Sequence, residues 1–268
     1  MSGAASLAGM GALRGGAGLV HLAVPSSIEA IVCGHEPSYL VHRLPENGEG
    51  RLAGGCDSVL EKLRRGMDAL AIGPGLGSSE GLTALVLDWL CSSETPLLLD
   101  ADALNSLAER GWGLREVRSP GPRLVTPHPG EMARLLGLST ADVQSDRLGH
   151  AVRLARRWQT TVVLKGAGTV ITDGDRWAIN HTGNPGMATG GTGDVLSGLL
   201  VALLAQGLEV FDAARLGVWL HGMAGDLAAA DWSEPGLIAS DLPRFLGAAW
   251  RKVLPPRCGV SEVTSAPQ

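Results

Sequence analysis

Short apolar runs alternate with amphipathic stretches along most of the chain, and that alternation predicts an α/β fold with a largely parallel sheet covered on both faces. Residues 4–14 carry small and apolar side chains at helical spacing, stop at Gly15-Gly16-Ala17-Gly18, and lead into an apolar strand over 19–24. Residues 68–72 predict a buried strand that opens into Gly73-Pro74-Gly75-Leu76-Gly77, with helical periodicity over 80–90. The same order of strand, loop and helix recurs twice. Residues 96–99 pass through Asp100-Ala101-Asp102 into 103–109, and 123–126 pass through Pro127-His128-Pro129-Gly130 into 131–136.

A single helix over 140–158 and a strand over 161–165 follow. Residues 168–173 and 176–180 predict a hairpin about an Asp-Gly turn. The loop 184–193 then leads into a long apolar helix over 194–205, and helices over 212–231 and 241–253 complete the expected fold. Residues 36–55, with Pro37, Pro45 and several glycines, read as an irregular connection. One domain over 1–254 and a frayed tail over 255–268 are expected.

Glycine changes the picture most. It supplies 38 of 268 residues, about twice the usual share, without a Gly-x-y repeat, so glycine-built loops rather than a collagen helix are expected. The net charge of −5 and the absence of a basic block exclude a nucleic-acid or anionic-membrane surface, and an anionic substrate would need local backbone N–H groups and helix N-termini to hold it. The four cysteines show no C-x-x-C spacing, which fits a reducing cytoplasm. The longest charge-free apolar stretch, 195–208, is too short to span a bilayer.

The richest chemistry lies in Gly190-Gly191-Thr192-Gly193-Asp194, between a hairpin and a long helix. Such glycines turn N–H groups toward one point and the helix adds its positive end, an arrangement suited to phosphate or a developing oxyanion. Asp194 there is either a general base toward a hydroxyl or a helix cap that complements the dipole. Neither the Lys-bearing P-loop nor the G-x-G-x-x-G fingerprint occurs. Gly77-Ser78-Ser79-Glu80-Gly81 matches G-x-S-x-G, giving a serine hydrolase as the rival, although several residues separate Ser79 from the preceding strand. The histidines show no zinc spacing.

Taken together, Gly15-Gly16-Ala17-Gly18-Leu19-Val20, Gly73-Pro74-Gly75-Leu76-Gly77, Leu99-Asp100-Ala101-Asp102-Ala103-Leu104-Asn105, Thr126-Pro127-His128-Pro129-Gly130-Glu131, Lys165-Gly166-Ala167-Gly168-Thr169 and 184–194 resemble the ADP/ATP-dependent NAD(P)H-hydrate dehydratases in nearly the whole chain and in order. The resemblance implies a ribokinase-like three-layer α/β/α sandwich with a central, mostly parallel sheet. It implies dehydration of (S)-NADHX and (S)-NADPHX to NADH and NADPH, by phosphorylation of the C6 hydroxyl from ADP or ATP with Mg²⁺ and elimination of phosphate.

By the same resemblance Asp194 takes the hydroxyl proton, and the amides of Gly191, Thr192 and Gly193 hold the transferring phosphoryl group. Lys165, Gly166, Ala167, Gly168, Thr169 and Gly193 border the adenine nucleotide, while Ala4, Gly75, Gly77, His128 and Asp194 line the hydrate pocket. Glu131 falls in the Mg²⁺ vicinity, and Asp100, Asp102 and Asn105 stay unassigned. Read without the resemblance, Lys165 is equally a solvated strand end, His128 a structural histidine and Glu131 a dipole partner.

Members of this family begin with a further strand and a Gly-Ser block, so a first sheet strand is expected to be missing here, with loss of stability or activity relative to a longer version. A separate epimerase partner and a homo-oligomer, a tetramer, are implied as well. A ribokinase-like kinase for a vitamin-precursor alcohol is the runner-up.

Overall fold

In the computed structural model, which describes residues 1–53 and 56–255, the predicted alternation becomes three layers. The chain opens with α1 (Ser2–Arg14), β1 (Val20–Pro25), α2 (Glu29–Cys33), β2 (Tyr39–Leu44) and α3 (Asp57–Arg64). Three strand–helix steps follow, β3 (Leu70–Ile72) with α4 (Glu80–Ser92), β4 (Leu97–Leu99) with α5 (Ala101–Glu109) and β5 (Arg123–Val125) with α6 (Pro129–Leu136), and then α7 (Thr140–Ser145) and α8 (Arg147–Trp158) lead to β6 (Thr161–Leu164). A hairpin of β7 (Thr169–Thr172) and β8 (Trp177–Asn180) precedes the closing helices α9 (Thr192–Ala205), α10 (Val210–Trp232) and α11 (Leu242–Trp250).

Among the described residues the main sheet runs β3-β4-β5-β6-β7-β8, parallel through β6 and antiparallel at the hairpin. Alternate residues of each buried strand feed opposite cores, as a two-residue period requires. Leu97, Leu99, Val125, Val162 and Leu164 face the layer containing α4, α5, α6 and α8. Leu98, Leu124, Val163 and Ile171 face α9, α10 and α11. The helices α1 and α9 press together because Gly11 and Gly198 have no side chain; a Cβ on either would collide with the carbonyl of Val195 or of Ala8.

Three expectations are corrected. The presumed connection 36–55 contains β2, which pairs in parallel with β1 from Val20↔Tyr39 to Pro25↔Leu44. Flanking prolines and the polar pair His42-Arg43 obscure its pattern, and tertiary pairing overrides them. The single helix expected over 140–158 is two, broken at Asp146 (φ −145°, ψ 65°), whose carboxylate caps α8 through Gly149 N–H at 2.9 Å. The long helix begins at Thr192 rather than Asp194. The expected tail lies outside the described residues from 256 onward.

The strands β1 and β2 form a sheet of their own, so the continuous sheet is interrupted between β1 and β3. A cavity of about 570 Å³ lies there, lined by Leu22 and Val24 on one side, Ala71 and Ile72 on the other, and Gly9 and Gly198 beneath.

Candidate active site

Four successive parallel strands deliver chemistry at their carboxyl ends, where an open α/β sheet places ligands. Gly73–Gly77 follows β3, Asp100 follows β4, Thr126–His128 follows β5 and Lys165 follows β6. Asp100, His128 and Gly191 are the N-cap residues of α5, α6 and α9, so three positive helix ends meet in one region of a chain whose net charge is −5. This resolves the charge problem posed by the sequence: an anion is attracted locally although the whole chain repels it.

Gly191 takes the left-handed conformation (φ +97°), and its carbonyl accepts from the N–H groups of Asp194 and Val195 at 3.1 and 3.2 Å. The N–H groups of Gly191, Thr192 and Gly193 have no partner among the described residues, and Gly190 is exposed. Thr192 turns its hydroxyl back to the carbonyl of Thr189 at 3.0 Å, so its backbone rather than its side chain faces any anion. A Cβ on Gly193 would stand 3.5 Å from Lys165 Nζ, which puts the ammonium group beside the open amides.

Lys165 is held by carboxylates. Its Nζ lies 2.7 Å from Asp100 Oδ1 and 3.8 Å from Glu131 Oε2, and Asp100 Oδ2 accepts from Ser197 Oγ at 2.7 Å. Burial alone would lower the Lys165 pKa, but Asp100 and Glu131 outweigh it and hold the ammonium above its usual value. Asp194 makes no side-chain hydrogen bond or ion pair among the described residues. Burial, followed by the Asp100 charge, pushes its carboxyl up to about 6, and Lys165 only partly opposes this. An unpaired carboxylate with a raised pKa is a group able to accept a proton near neutral pH.

His128 and Glu131 form a capping box. His128 Nδ1 accepts from the N–H groups of Gly130 and Glu131 at 3.0 and 3.3 Å, and Glu131 Oε2 accepts from His128 N–H at 2.7 Å. With Nδ1 accepting, His128 carries its proton on Nε2, 3.4 Å from Glu131 Oε1, and burial holds the ring below its usual pKa. Both Glu131 oxygens are therefore engaged, and no group of three or more potential metal ligands occurs among the described residues. The residues present do not fit a protein-built Mg²⁺ cage; such an ion would arrive on nucleotide phosphates with its waters.

The remaining sequence-selected residues fall on either side of this centre. Gly166, Ala167 and Gly168 form the turn after Lys165 and lead into Thr169 at the start of β7, and Arg147 pins the turn from behind, its Nη2 donating to the Leu164 and Lys165 carbonyls at 3.0 and 3.3 Å. Gly75 and Gly77 line the cavity between the sheets, and a Cβ on Gly75 would stand 2.7 Å from that of Ala4. Gly77 N–H donates to Asp102 Oδ2 at 2.7 Å, and Asp102 in turn acts electrostatically on Asp194, linking this loop to the centre. The cavity reaches Asp102 but not Asp194.

Ser79, the serine of the G-x-S-x-G match, caps α4 by accepting from Leu82 N–H at 3.1 Å, and no histidine pairs with it among the described residues. Sequence reasoning missed Ser197, Arg147, His221 and Asp226. The last two stand in Leu220-His221-Gly222-Met223-Ala224-Gly225-Asp226, where polar residues and two glycines interrupt a long apolar helix, a signal of close backbone approach.

A family model described as NAD(P)H-hydrate dehydratase matches residues 1–246. The ADP-dependent (S)-NAD(P)H-hydrate dehydratase of Bacillus subtilis is 36% identical over 254 residues, covering 94% of this chain and 86% of that protein. A bifunctional NAD(P)H-hydrate repair enzyme of Moorella thermoacetica is 46% identical over 92% of this chain, which spans only 46% of that protein. The chain thus spans about half the length of the first curated relatives it matches. A crystal structure of the B. subtilis ADP/ATP-dependent dehydratase, co-crystallised with ATP/Mg²⁺ and soaked with CoA, superposes with a TM-score of 0.79 at 32% identity, over 94% of this chain and 87% of that one. Hydroxyethylthiazole kinase from Pyrococcus horikoshii, at 19% identity and a TM-score of 0.59, shares the fold alone. With six motifs in order, the ribokinase-like layers and these matches in agreement, the chain belongs to the NAD(P)H-hydrate dehydratase family.

Proposed function

We propose that the protein restores reduced nicotinamide cofactors from their (S)-hydrates, consuming ADP or ATP. The observation that carries this reading is the unpaired, partly buried Asp194 carboxylate adjoining the open amides of Gly191–Gly193 and the Lys165 ammonium. Asp194 accepts the C6 hydroxyl proton as that oxygen attacks the terminal phosphoryl group of the nucleotide. The new O–P bond forms while the bond to the departing nucleotide breaks, and the amides and Lys165 stabilise the equatorial oxygens.

Phosphate then leaves with the C6–O electron pair, pushed by the ring nitrogen lone pair. Loss of a proton from the neighbouring ring carbon restores the dihydronicotinamide. Lys165 and the turn 166–169 border the nucleotide, while Ala4, Gly75, Gly77 and His128 border the hydrate. Glu131 acts by holding Lys165 and capping α6 rather than as a metal ligand. Mg²⁺ would enter as part of the nucleotide complex, where it would neutralise phosphate charge.

The same reading calls for an epimerase to convert the other hydrate epimer, for a reducing cytoplasm, and for a homo-oligomer. Trp177 and Ile179, 56% and 42% exposed on the edge strand β8, support an association surface, which sedimentation of the purified chain would test. No helix among the described residues is long and apolar enough to cross a membrane. The functional test is recovery of reduced-nicotinamide absorbance from purified hydrate with Mg²⁺ and ADP or ATP. Recovery with the wild type and not with Asp194→Asn supports the reading; absence of recovery with either nucleotide refutes it.

A further inference from the structure

The helix α10 crosses behind the glycine turn and grips the loop 183–193 at both ends. Asp226 accepts from Gly183 N–H at 2.9 Å through Oδ2 and from Asn184 Nδ2 at 3.0 Å through Oδ1. One and a half turns earlier His221 donates from Nε2 to the carbonyl of Thr192 at 2.9 Å, across 29 residues of sequence. Gly222 and Gly225, between them, let the loop lie on the helix: a Cβ on either would collide with Thr182 or with Met187.

The Thr192–Gly193 peptide is trans and planar, so its carbonyl and the N–H of Gly193 point in opposite directions, and fixing one fixes the other. We infer that His221 is a positioning residue of the dehydratase: by holding the Thr192 carbonyl from behind, it aims the Gly193 N–H at the phosphoryl group in transfer. The inference rests on the reading of 191–193 as the phosphoryl-holding turn. It extends that reading to a residue on a helix whose polar positions the catalytic motif does not contain.

The physical demand is specific. An amide donor stabilises a transition state only if its direction is set beforehand, because reorientation during reaction would consume the gain. Thr192 opens α9, so helical bonding restrains its carbonyl only at the end of the helix and between two glycines, and His221 adds a second restraint from outside the turn. His221 is buried, and burial pushes its ring down to about 4, so it stays neutral with its proton on Nε2 throughout the working pH range. A neutral donor holds the carbonyl without placing a second positive charge beside Lys165.

The test compares His221→Leu with His221→Gln, whose terminal amide nitrogen reaches about as far as Nε2 and keeps the donor. The Leu variant is expected to lose about ten- to a hundredfold in kcat, near the scale of one misdirected oxyanion donor, with KM for the hydrate within about threefold of wild type. The Gln variant recovers most of kcat. The order parameter of the Gly193 amide from ¹⁵N relaxation, measured without substrate, is expected to fall in the Leu variant and to return toward wild type in the Gln variant. If His221→Leu does not fold, His221→Asn, whose amide stops short of Thr192, makes the same comparison.

An unchanged Gly193 order parameter when the donor is removed overturns the inference, as does an equal loss of kcat in the donor-keeping and donor-lacking variants. A wild-type protein that does not convert the hydrate at all defeats the functional reading instead. The relaxation comparison then still decides whether His221 sets the peptide.

Discussion

Lys165 Nζ rests 2.7 Å from Asp100 Oδ1, joining the ends of β6 and β4, and the other oxygen of Asp100 accepts from Ser197 on the helix that carries Asp194. Asp100 is 1% exposed and Ser197 fully buried, so the carboxylate is a fixed strut between the cation and the glycine turn. Asp100→Ala leaves Lys165 with Glu131 alone at 3.8 Å. The expected cost is roughly 2–4 kcal/mol of stability, below the full price of an unpaired buried charge because Glu131 remains. Denaturant unfolding checks it. Because the Lys165 pKa is raised by folding, the stabilisation from this pair is fully present below the unfolded lysine value and is lost only as pH rises through the folded one. A loss already complete at neutral pH would contradict the pairing.

Asp194 bears the opposite relation to stability. Its carboxyl rises from 3.8 to about 6 on folding, so the folded state binds a proton more readily than the unfolded chain. Stability therefore falls as pH rises from about 4 through about 6 and stays lowered above that window. Asp194→Asn is expected to abolish turnover while raising stability at neutral pH by on the order of 1–3 kcal/mol. The acid limb of the wild-type kcat profile should fall near pH 6 in the substrate complex, shifted by whatever charge the substrates add. A wild-type limb below pH 4, or an Asn variant that keeps turnover, would remove Asp194 from the role of base.

Two glycines of α9 separate chemistry from packing. A methyl group at 193 meets Lys165 Nζ at 3.5 Å and Asp100 Oδ2 at 4.0 Å, ordinary contacts, whereas one at 198 runs into the carbonyl of Ala8. Gly193→Ala is expected to fold, at a cost below about 1 kcal/mol, and to lose at least about tenfold in kcat by occupying phosphoryl space. Gly198→Ala should lose several degrees in melting temperature through separation of α1 and α9. Thermal melts and turnover on both variants give the comparison, and the idea fails if Gly193→Ala is fully active.

Ser79→Ala tests the hydrolase alternative. Loss of an N-cap costs about 1 kcal/mol. Turnover of the hydrate should be unaffected, since the Ser79 hydroxyl accepts from its own helix at 3.1 Å. An esterase activity that disappears in this variant would restore the alternative.

Much of this was legible in the residues. The alternation of apolar runs and amphipathic stretches gave β3 to β8 with their helices to within a few positions, because buried parallel strands are continuously apolar and the loops between them carry Gly, Pro and Asp. The amide turn and Asp194 stood out because glycines and an acid at a helix start have few other uses. The strand β2 was hidden by its polar pair His42-Arg43, whose place in a sheet depends on β1 lying alongside. The break at Asp146 was hidden because helical periodicity passes through it and only the cap geometry reveals the stop.

What the sequence alone determined, then, is the layer order, the glycine turn and the identity of the acid beside it, all of which are local patterns of a few residues. Tertiary structure decided the pairing of Lys165 with Asp100 across 65 positions, the commitment of Glu131 and His128 to one another as a cap, and the approach of His221 to the back of Thr192. The reason is physical. Propensity and periodicity act along neighbouring residues, whereas the direction of an amide and the proton affinity of a carboxylate are set by groups that the folding of the sheet brings together.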